Sequence, residues 1–99
     1  MAEDHLDVVT VYLTTQGLPV QRMTQLARQL VKDKLAATAD IYQRSHADGG
    51  AEVLAILHTR RSHLAAITHC AFGIEKVITA PLECDSRYRA WVLDSTAAA

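Results

Sequence analysis

Hydrophobic and polar positions follow a pattern that predicts strands and helices in a definite order. Val8 to Leu13 and Val53 to His58 are nearly continuous apolar runs, as expected for strands that are buried on both faces. Ala37 to Arg44 and Lys76 to Leu82 contain more polar residues, and Lys76 to Leu82 also contains a proline, so both are predicted to be edge strands. Ala47 to Gly50 predicts a turn between the second and third strands.

Three helices are predicted between and after these strands. The first is expected to begin around Pro19, which suits a first helical turn, and to end near Ala36. The second should begin near Thr59 or Ser62, either of which can cap a helix. A short third helix is expected from Ser86 to Leu93. The apolar stripe of the first helix is expected to contain Met23, Leu26, Ala27, Leu30 and Val31.

The order strand-helix-strand-strand-helix-strand is that of the split βαβ, or ferredoxin-like, fold, an α+β sandwich. Residues 1–99 are enough for one such domain. Two helices cover one face of the sheet, and side chains alternate between faces along a strand, so Leu54 and Ile56 should point away from the helices. We expect another copy of the chain to cover them. Tyr88 and Trp91, three apart on the short helix, are expected to pack in the core or in that interface.

Charge and composition narrow the range of partners and compartments. The formal net charge is -1 and both signs are interspersed, so nucleic acid is not an expected partner. No apolar stretch is long enough to span a bilayer, so no membrane association is expected either. The acidic segment Met1 to Asp4 does not resemble a signal peptide. We therefore expect a cytoplasmic protein in which Cys70 and Cys84 are reduced thiols.

Five segments carry a family resemblance: Val9 to Thr15, Leu26 to Ala39, Glu52 to Thr59, Ser62-His63 and Tyr88 to Val92. In that order they resemble the first strand, the first helix with the entry to the second strand, the third strand, the start of the second helix and the closing Tyr-x-x-Trp signature of the CutA family, the divalent-cation tolerance proteins. The resemblance implies a homotrimer of ferredoxin-like subunits, without enzymatic activity, that is associated with divalent metal ion tolerance.

The chain also departs from that family at recognisable places. Thr14 and Thr38 stand where family members usually have cysteine. Of the family segment His-Pro-Tyr-x-x-Pro-Glu, only the terminal residues remain, as His69 and Glu75. The long hairpin between the second and third strands is shortened to a turn from Ser45 to Gly50. The chain therefore resembles a trimmed, divergent member of the family.

Metal binding is implied by the family resemblance. The resemblance predicts that a divalent ion, copper or zinc, is bound by His69 together with Glu75 or Cys84. The spacing of these residues matches no recognised zinc motif. The alternative interpretation is that the histidines are solvated surface residues and that Cys70 and Cys84 are small buried thiols.

The same residues bear on two further function classes. PII-type signalling proteins share this fold and a trimeric arrangement, and a nucleotide or other anionic small molecule between subunits would need contacts such as Gly49-Gly50 and Arg60-Arg61. An enzyme is not expected. His69 and Cys70 are sequence neighbours, which rarely form a thiol–imidazole pair. The chain contains no asparagine, which the chemistry of the ferredoxin-like acylphosphatases requires.

Overall fold

The computed structural model describes residues 7–97 and shows a four-stranded antiparallel sheet with three α-helices. The elements are β1 (Val8–Thr15), α1 (Val20–Lys32), β2 (Thr38–Ser45), β3 (Ala51–Arg60), a 3₁₀ turn (Arg61–His63), α2 (Leu64–Cys70), β4 (Lys76–Pro81) and α3 (Ser86–Ser95). The strand order is β2-β3-β1-β4, which confirms the ferredoxin-like fold and the central position of β1 and β3. Between residues 7 and 97, no helix has the length and apolar character needed to cross a bilayer.

The hydrophobic core lies between one sheet face and the helices α1 and α2. Alternate residues of the two central strands point into it, and α1 contributes Met23 and Leu30 while α2 contributes Ile67. The buried sheet residues of this cluster are Val9, Val11, Leu13, Val53, Ala55 and Leu57. Removing such side chains from water stabilises the fold by roughly 1.5–3 kcal/mol for each large one. The predicted stripe of α1 is correct at its centre, whereas Val31 lies on its rim and is 38% exposed.

The first helix ends at Lys32, four residues before the predicted end near Ala36. Lys34 adopts a left-handed conformation with φ of 60°, which stops the helix. The N–H of Lys34 then donates to the Val31 carbonyl at 3.1 Å, and the N–H of Leu35 donates to the Leu30 carbonyl at 2.9 Å. This is the hydrogen-bond pattern of a Schellman C-cap, in which glycine usually occupies the left-handed position. The prediction was wrong because lysine gives no stop signal.

The predicted caps of the second helix are also wrong. Thr59 belongs to β3, and its hydroxyl donates to the Leu35 carbonyl at 2.6 Å, so it fastens the α1–β2 connection to the sheet. Ser62 lies inside the 3₁₀ turn, and α2 begins after His63 without a side-chain cap. Strand β3 continues to Arg60, whose side chain has hydrogen-bond partners on the sheet face opposite α1 and α2.

Those partners belong to α3, which lies across one end of the second sheet face. The Arg60 guanidinium donates to the Thr96 hydroxyl at 3.0 Å and to the Leu93 carbonyl, and Val8 is fully buried at the same end. At the start of α3, the Asp85 carboxylate accepts a hydrogen bond from the Tyr88 N–H at 2.8 Å. The expectation that helices cover only one face therefore needs correction, since α3 shields the end of the other.

Replacing Lys34 by glycine should stabilise the fold. A left-handed L-residue costs roughly 1–2 kcal/mol, of which the greater freedom of glycine in the unfolded chain returns a part, so Lys34→Gly should gain about 0.5–1 kcal/mol. Lys34→Ala, which keeps a Cβ, is the matched control and should give no gain. Urea denaturation at a fixed subunit concentration measures both, and equal stability of the two variants would contradict this account of the helix end.

Candidate functional site

The sheet face opposite α1 and α2 is apolar at its centre, and its central residues are only partly buried or exposed. We call it the open face and define it by its central residues, which are Tyr12, Tyr42, Leu54, Ile56 and Ile78. Strand register places Ile56 beside Tyr12, and Tyr12 in turn beside Ile78 on β4. Tyr42 is 50% exposed and Ile78 is 49% exposed. As predicted, Leu54 and Ile56 point away from α1 and α2.

Charged residues border the open face along both sheet edges. Asp40 lies on the β2 edge beside Ile56, and Lys76 lies on the β4 edge beside Thr14. Both charged residues are exposed. An apolar centre with a polar rim is the usual anatomy of a protein–protein interface. At these two positions the edges carry opposite charges.

An aromatic cluster closes the end of the open face that α3 covers. The Nδ1 atom of His58 lies 2.6 Å from the Tyr88 hydroxyl oxygen, and the two rings meet edge to face with centroids 5.7 Å apart. Tyr88 also packs against Trp91, with centroids 5.6 Å apart. Tyr88 thus anchors α3 to the sheet, whereas Trp91 remains 46% exposed beside the open face. Partial burial lowers the pKa of His58, and the Asp40 carboxylate opposes this effect.

A buried carboxylate lies at the other end of the same face. Glu52 is almost fully buried, and its carboxylate accepts hydrogen bonds from two nitrogens of the Arg44 guanidinium, from Nε at 2.6 Å and from Nη2. His46 Nε2 lies 3.4 Å from the same oxygen. The hydrogen bond from Arg44 holds the pKa of Glu52 below its usual range. Sequence reasoning missed this pair, although opposite charges on the two sides of a predicted hairpin turn could have indicated it.

The structure does not bring His69, Glu75 and Cys84 together within one subunit. His69 is exposed on the last turn of α2. Glu75 immediately precedes β4 and Cys84 follows its other end, and six residues of strand span about 20 Å. Across residues 7–97, no group of three or more histidine, cysteine, aspartate or glutamate side chains could hold a metal ion. The three predicted ligands therefore do not fit a single ion in one subunit.

Glu75 instead stabilises the β1–α1 connection through hydrogen bonds. Its carboxylate accepts hydrogen bonds from the N–H of Gln16 at 3.1 Å, from the N–H of Gly17 at 3.0 Å and from the Thr15 hydroxyl at 3.2 Å. A Cβ on Gly17 would lie only 3.2 Å from the Oε1 atom, so the close approach favours glycine there. The carboxylate oxygens are thus already engaged in holding β1 to the start of β4.

The two cysteines lie on the surface, which corrects the interpretation that they are small buried thiols. Both Cys70 and Cys84 are exposed and free. Partial desolvation, reinforced by the Asp85 carboxylate, raises the pKa of the Cys84 thiol. Because the thiolate is the form that binds metals and attacks substrates, the raised pKa disfavours both roles for Cys84.

The residues considered for phosphate binding are also far apart in one subunit. Gly49 and Gly50 form the tight turn between β2 and β3, where Gly49 has a φ of 93°. Arg60 and Arg61 lie at the opposite end of β3, whose ten residues span about 33 Å. The Arg60 guanidinium is moreover bound to α3. The fold of a single subunit therefore does not favour a PII-like nucleotide site built from these residues.

Comparison with solved structures identifies the fold. The chain is similar to the divalent ion tolerance protein CutA1 from Ehrlichia chaffeensis, with a TM-score of 0.74, 22% identity and coverage of 93% of this chain and 97% of that one. It is similar to the periplasmic divalent cation tolerance protein CutA from Archaeoglobus fulgidus, with a TM-score of 0.74, 18% identity and coverage of 91% and 99%. Neither a protein-family model nor a curated protein sequence matches the chain.

A third similar structure is CutA from Synechococcus elongatus PCC7942, described as complexed with a Bis-Tris molecule, with a TM-score of 0.72 and 18% identity over 91% of this chain and 94% of that one. These likenesses extend over nearly the whole length of both partners. The resemblance seen in the sequence is thus confirmed for the fold: the chain has the CutA fold.

Removing the Glu75 carboxylate should loosen the β1–α1 connection. Glu75→Ala removes the acceptor of the exposed amides of Gln16 and Gly17, which water can then replace, so it should cost about 0.5–1.5 kcal/mol and speed hydrogen exchange at both amides. Glu83→Ala, at the exposed far end of β4, is the control and should change neither. Hydrogen exchange followed by NMR makes the comparison, and unchanged exchange at Gln16 and Gly17 would show that Glu75 does not stabilise the β1–α1 connection.

Proposed function

We propose that the chain is a non-enzymatic, CutA-like homo-oligomer, a trimer of one-domain subunits, that serves in divalent metal ion tolerance. The observation that carries the assembly is the open face. Its centre presents Ile56 and Tyr12 from the two middle strands, flanked by exposed Tyr42 and Ile78. The likeness of the fold to proteins named for divalent ion tolerance supports the cellular role.

Charge favours another copy of the chain as the occupant of this face. Asp40 and Lys76 border the open face on opposite edges of the sheet. If subunits pack head to tail, the β2 edge of one copy approaches the β4 edge of the next, and the two opposite charges face each other. Head-to-tail contacts close into rings, which fits a cyclic trimer. Opposite charges at the rim help to fix such a register and suppress the reverse one.

The structural hydrogen bonds that the polar groups already make support the absence of enzymatic activity. Glu75 holds the β1–α1 connection, Glu52 is paired with Arg44, and His58 is bound to Tyr88. Each of these groups has a structural partner, and the thiol of Cys84 is shifted toward its unreactive form. The exposed free thiols suit a reducing compartment, so we place the protein in the cytoplasm as part of the same proposal.

For the metal, we propose His69 as the ligand that a subunit offers. It is exposed on α2, and its imidazole is a common ligand for both copper and zinc. Glu75 is engaged with the backbone, and Cys84 lies beyond the far end of β4. We therefore propose that Glu75 and Cys84 do not join His69 on one ion within a subunit, and that metal binding by an isolated subunit is weak.

The assembly is tested by charge substitution at the centre of the open face. The unmodified chain should have the mass of three subunits by light scattering at micromolar concentration. Ile56→Lys and Ile78→Lys should both shift it to the monomer, because each buries an unpaired charge in the proposed interface. Val31→Lys is the control, since Val31 is an exposed apolar residue on α1, away from that face. Monomeric mass of the unmodified chain, or loss of assembly in Val31→Lys alone, would contradict the proposal.

The metal role is tested by calorimetric titration with copper and zinc. His69→Ala should weaken binding at least about tenfold, because it removes the proposed ligand. Cys84→Ser should bind as the unmodified chain does, because the thiol lies too far from His69 and favours its protonated form. A loss of affinity in Cys84→Ser equal to that in His69→Ala would contradict the separation of these two residues, and undiminished binding in His69→Ala would remove His69 from the role.

A further inference from the structure

We propose that His58 makes assembly through the open face dependent on pH, because a protonated imidazole at this position opposes the packing of a second copy. This inference rests on the proposed assembly. His58 lies on β3 two residues from Ile56 and points to the same side of the sheet. It pairs with Thr38 on one neighbouring strand and with Thr10 on the other. A copy that covers Ile56 therefore also removes water from the surroundings of His58.

The hydrogen bond to Tyr88 fixes the imidazole in this position. Nδ1 and the Tyr88 hydroxyl oxygen are 2.6 Å apart, and the ring meets the Tyr88 ring edge to face. If the imidazole gains a proton, Nδ1 can donate to the hydroxyl oxygen, so the contact with α3 can survive. The added positive charge then stays at the border of the open face instead of turning away to solvent. The cost of protonation thus comes from desolvation of the charge.

The groups around His58 set the sign of the effect. From β2, the Asp40 carboxylate favours the protonated imidazole. From β1 the neighbours on this face are Val8, Thr10 and Tyr12, and from α3 they are Tyr88 and Trp91, none of which has a carboxyl, amino, guanidinium or imidazole group. On β3 itself, Arg60 is two residues away and its guanidinium is bound to α3. Partial burial outweighs Asp40, so the pKa of His58 already lies below its ordinary value in a single subunit.

Covering the open face increases the same desolvation. The assembled state should then bind fewer protons than free subunits do, in the pH range between the pKa of His58 in the assembly and that in the free subunit. Association is therefore strongest above the ordinary histidine pKa of about 6.5 and weakens as the pH falls through the lowered value. One linked proton changes the association constant by up to about tenfold per pH unit for each subunit.

Sedimentation velocity at pH 7.5 and pH 5.0 (about 1 unit above and about 1.5 units below the ordinary value, because the pKa of His58 lies below that value) tests the inference on the full chain. The unmodified chain should associate about tenfold or more weakly at the lower pH. His58→Gln, which keeps a polar side chain but cannot take the charge, should associate equally at both. His46→Gln and His69→Gln are the matched controls and should follow the unmodified chain. His46 borders the same face beside Glu52, and His69 lies on α2.

The possible outcomes distinguish a failure of this inference alone from a failure of the proposed assembly. Equal association of the unmodified chain at both pH values leaves the assembly standing and overturns the role of His58, as does an unchanged pH dependence in His58→Gln. A chain that is monomeric at pH 7.5 overturns the assembly and this inference together. If His58→Gln fails to fold, an NMR titration decides: the pKa of His58 should be lower in the assembled unmodified chain than in the monomeric Ile56→Lys variant, and equal values would refute the inference.

Discussion

A sheet has two faces, and this chain carries enough helix to cover one face and a single end of the other. The helices α1 and α2 lie over the core side, where Leu13 and Leu57 are fully buried. The third helix reaches only the end marked by Val8 and Arg60. The remaining open face exposes apolar side chains of both central strands to water, at a cost of roughly 25 cal/mol for every Å² that burial could remove. The proposed assembly and its pH dependence both follow from this imbalance between sheet and helix.

The architecture could be predicted because it depends on local patterns of hydrophobic and polar residues that are clear in the sequence. Apolar runs in β1 and β3 indicated central strands, and strict alternation indicated that Ile56 faces away from the helices. The errors arose where backbone geometry contradicts residue type. Lys34 takes a left-handed conformation that usually belongs to glycine, so the end of α1 was placed too late. Threonine is a residue type that often caps helices, yet Thr59 lies within a strand and its hydroxyl donates to the Leu35 carbonyl.

The site was less predictable because its contacts join residues that are far apart in sequence. Glu75 binds the amide of Gln16 across 59 positions, and His58 meets Tyr88 across 30 positions. No spacing rule relates such residues until the fold is known. The metal ligands stay a prediction, although Glu75 and Cys84, which are near in sequence, are separated by an extended strand and so cannot bind one ion together in a subunit. Arg44 and Glu52 are only eight positions apart across a hairpin, and that pair was within reach of sequence reasoning.

Hydroxyl-radical footprinting of the unmodified chain at micromolar concentration tests the covering of the open face most directly. Tyr42 is 50% exposed in a single subunit and lies on that face, whereas Phe72 is 90% exposed between α2 and β4 and serves as the internal reference. Covering by a second copy predicts that Phe72 is oxidised readily while Tyr42 and Ile78 are protected, and that dilution to the monomer restores their oxidation. Oxidation of Tyr42 and Ile78 at the rates expected for a single subunit, at every concentration, would contradict the account.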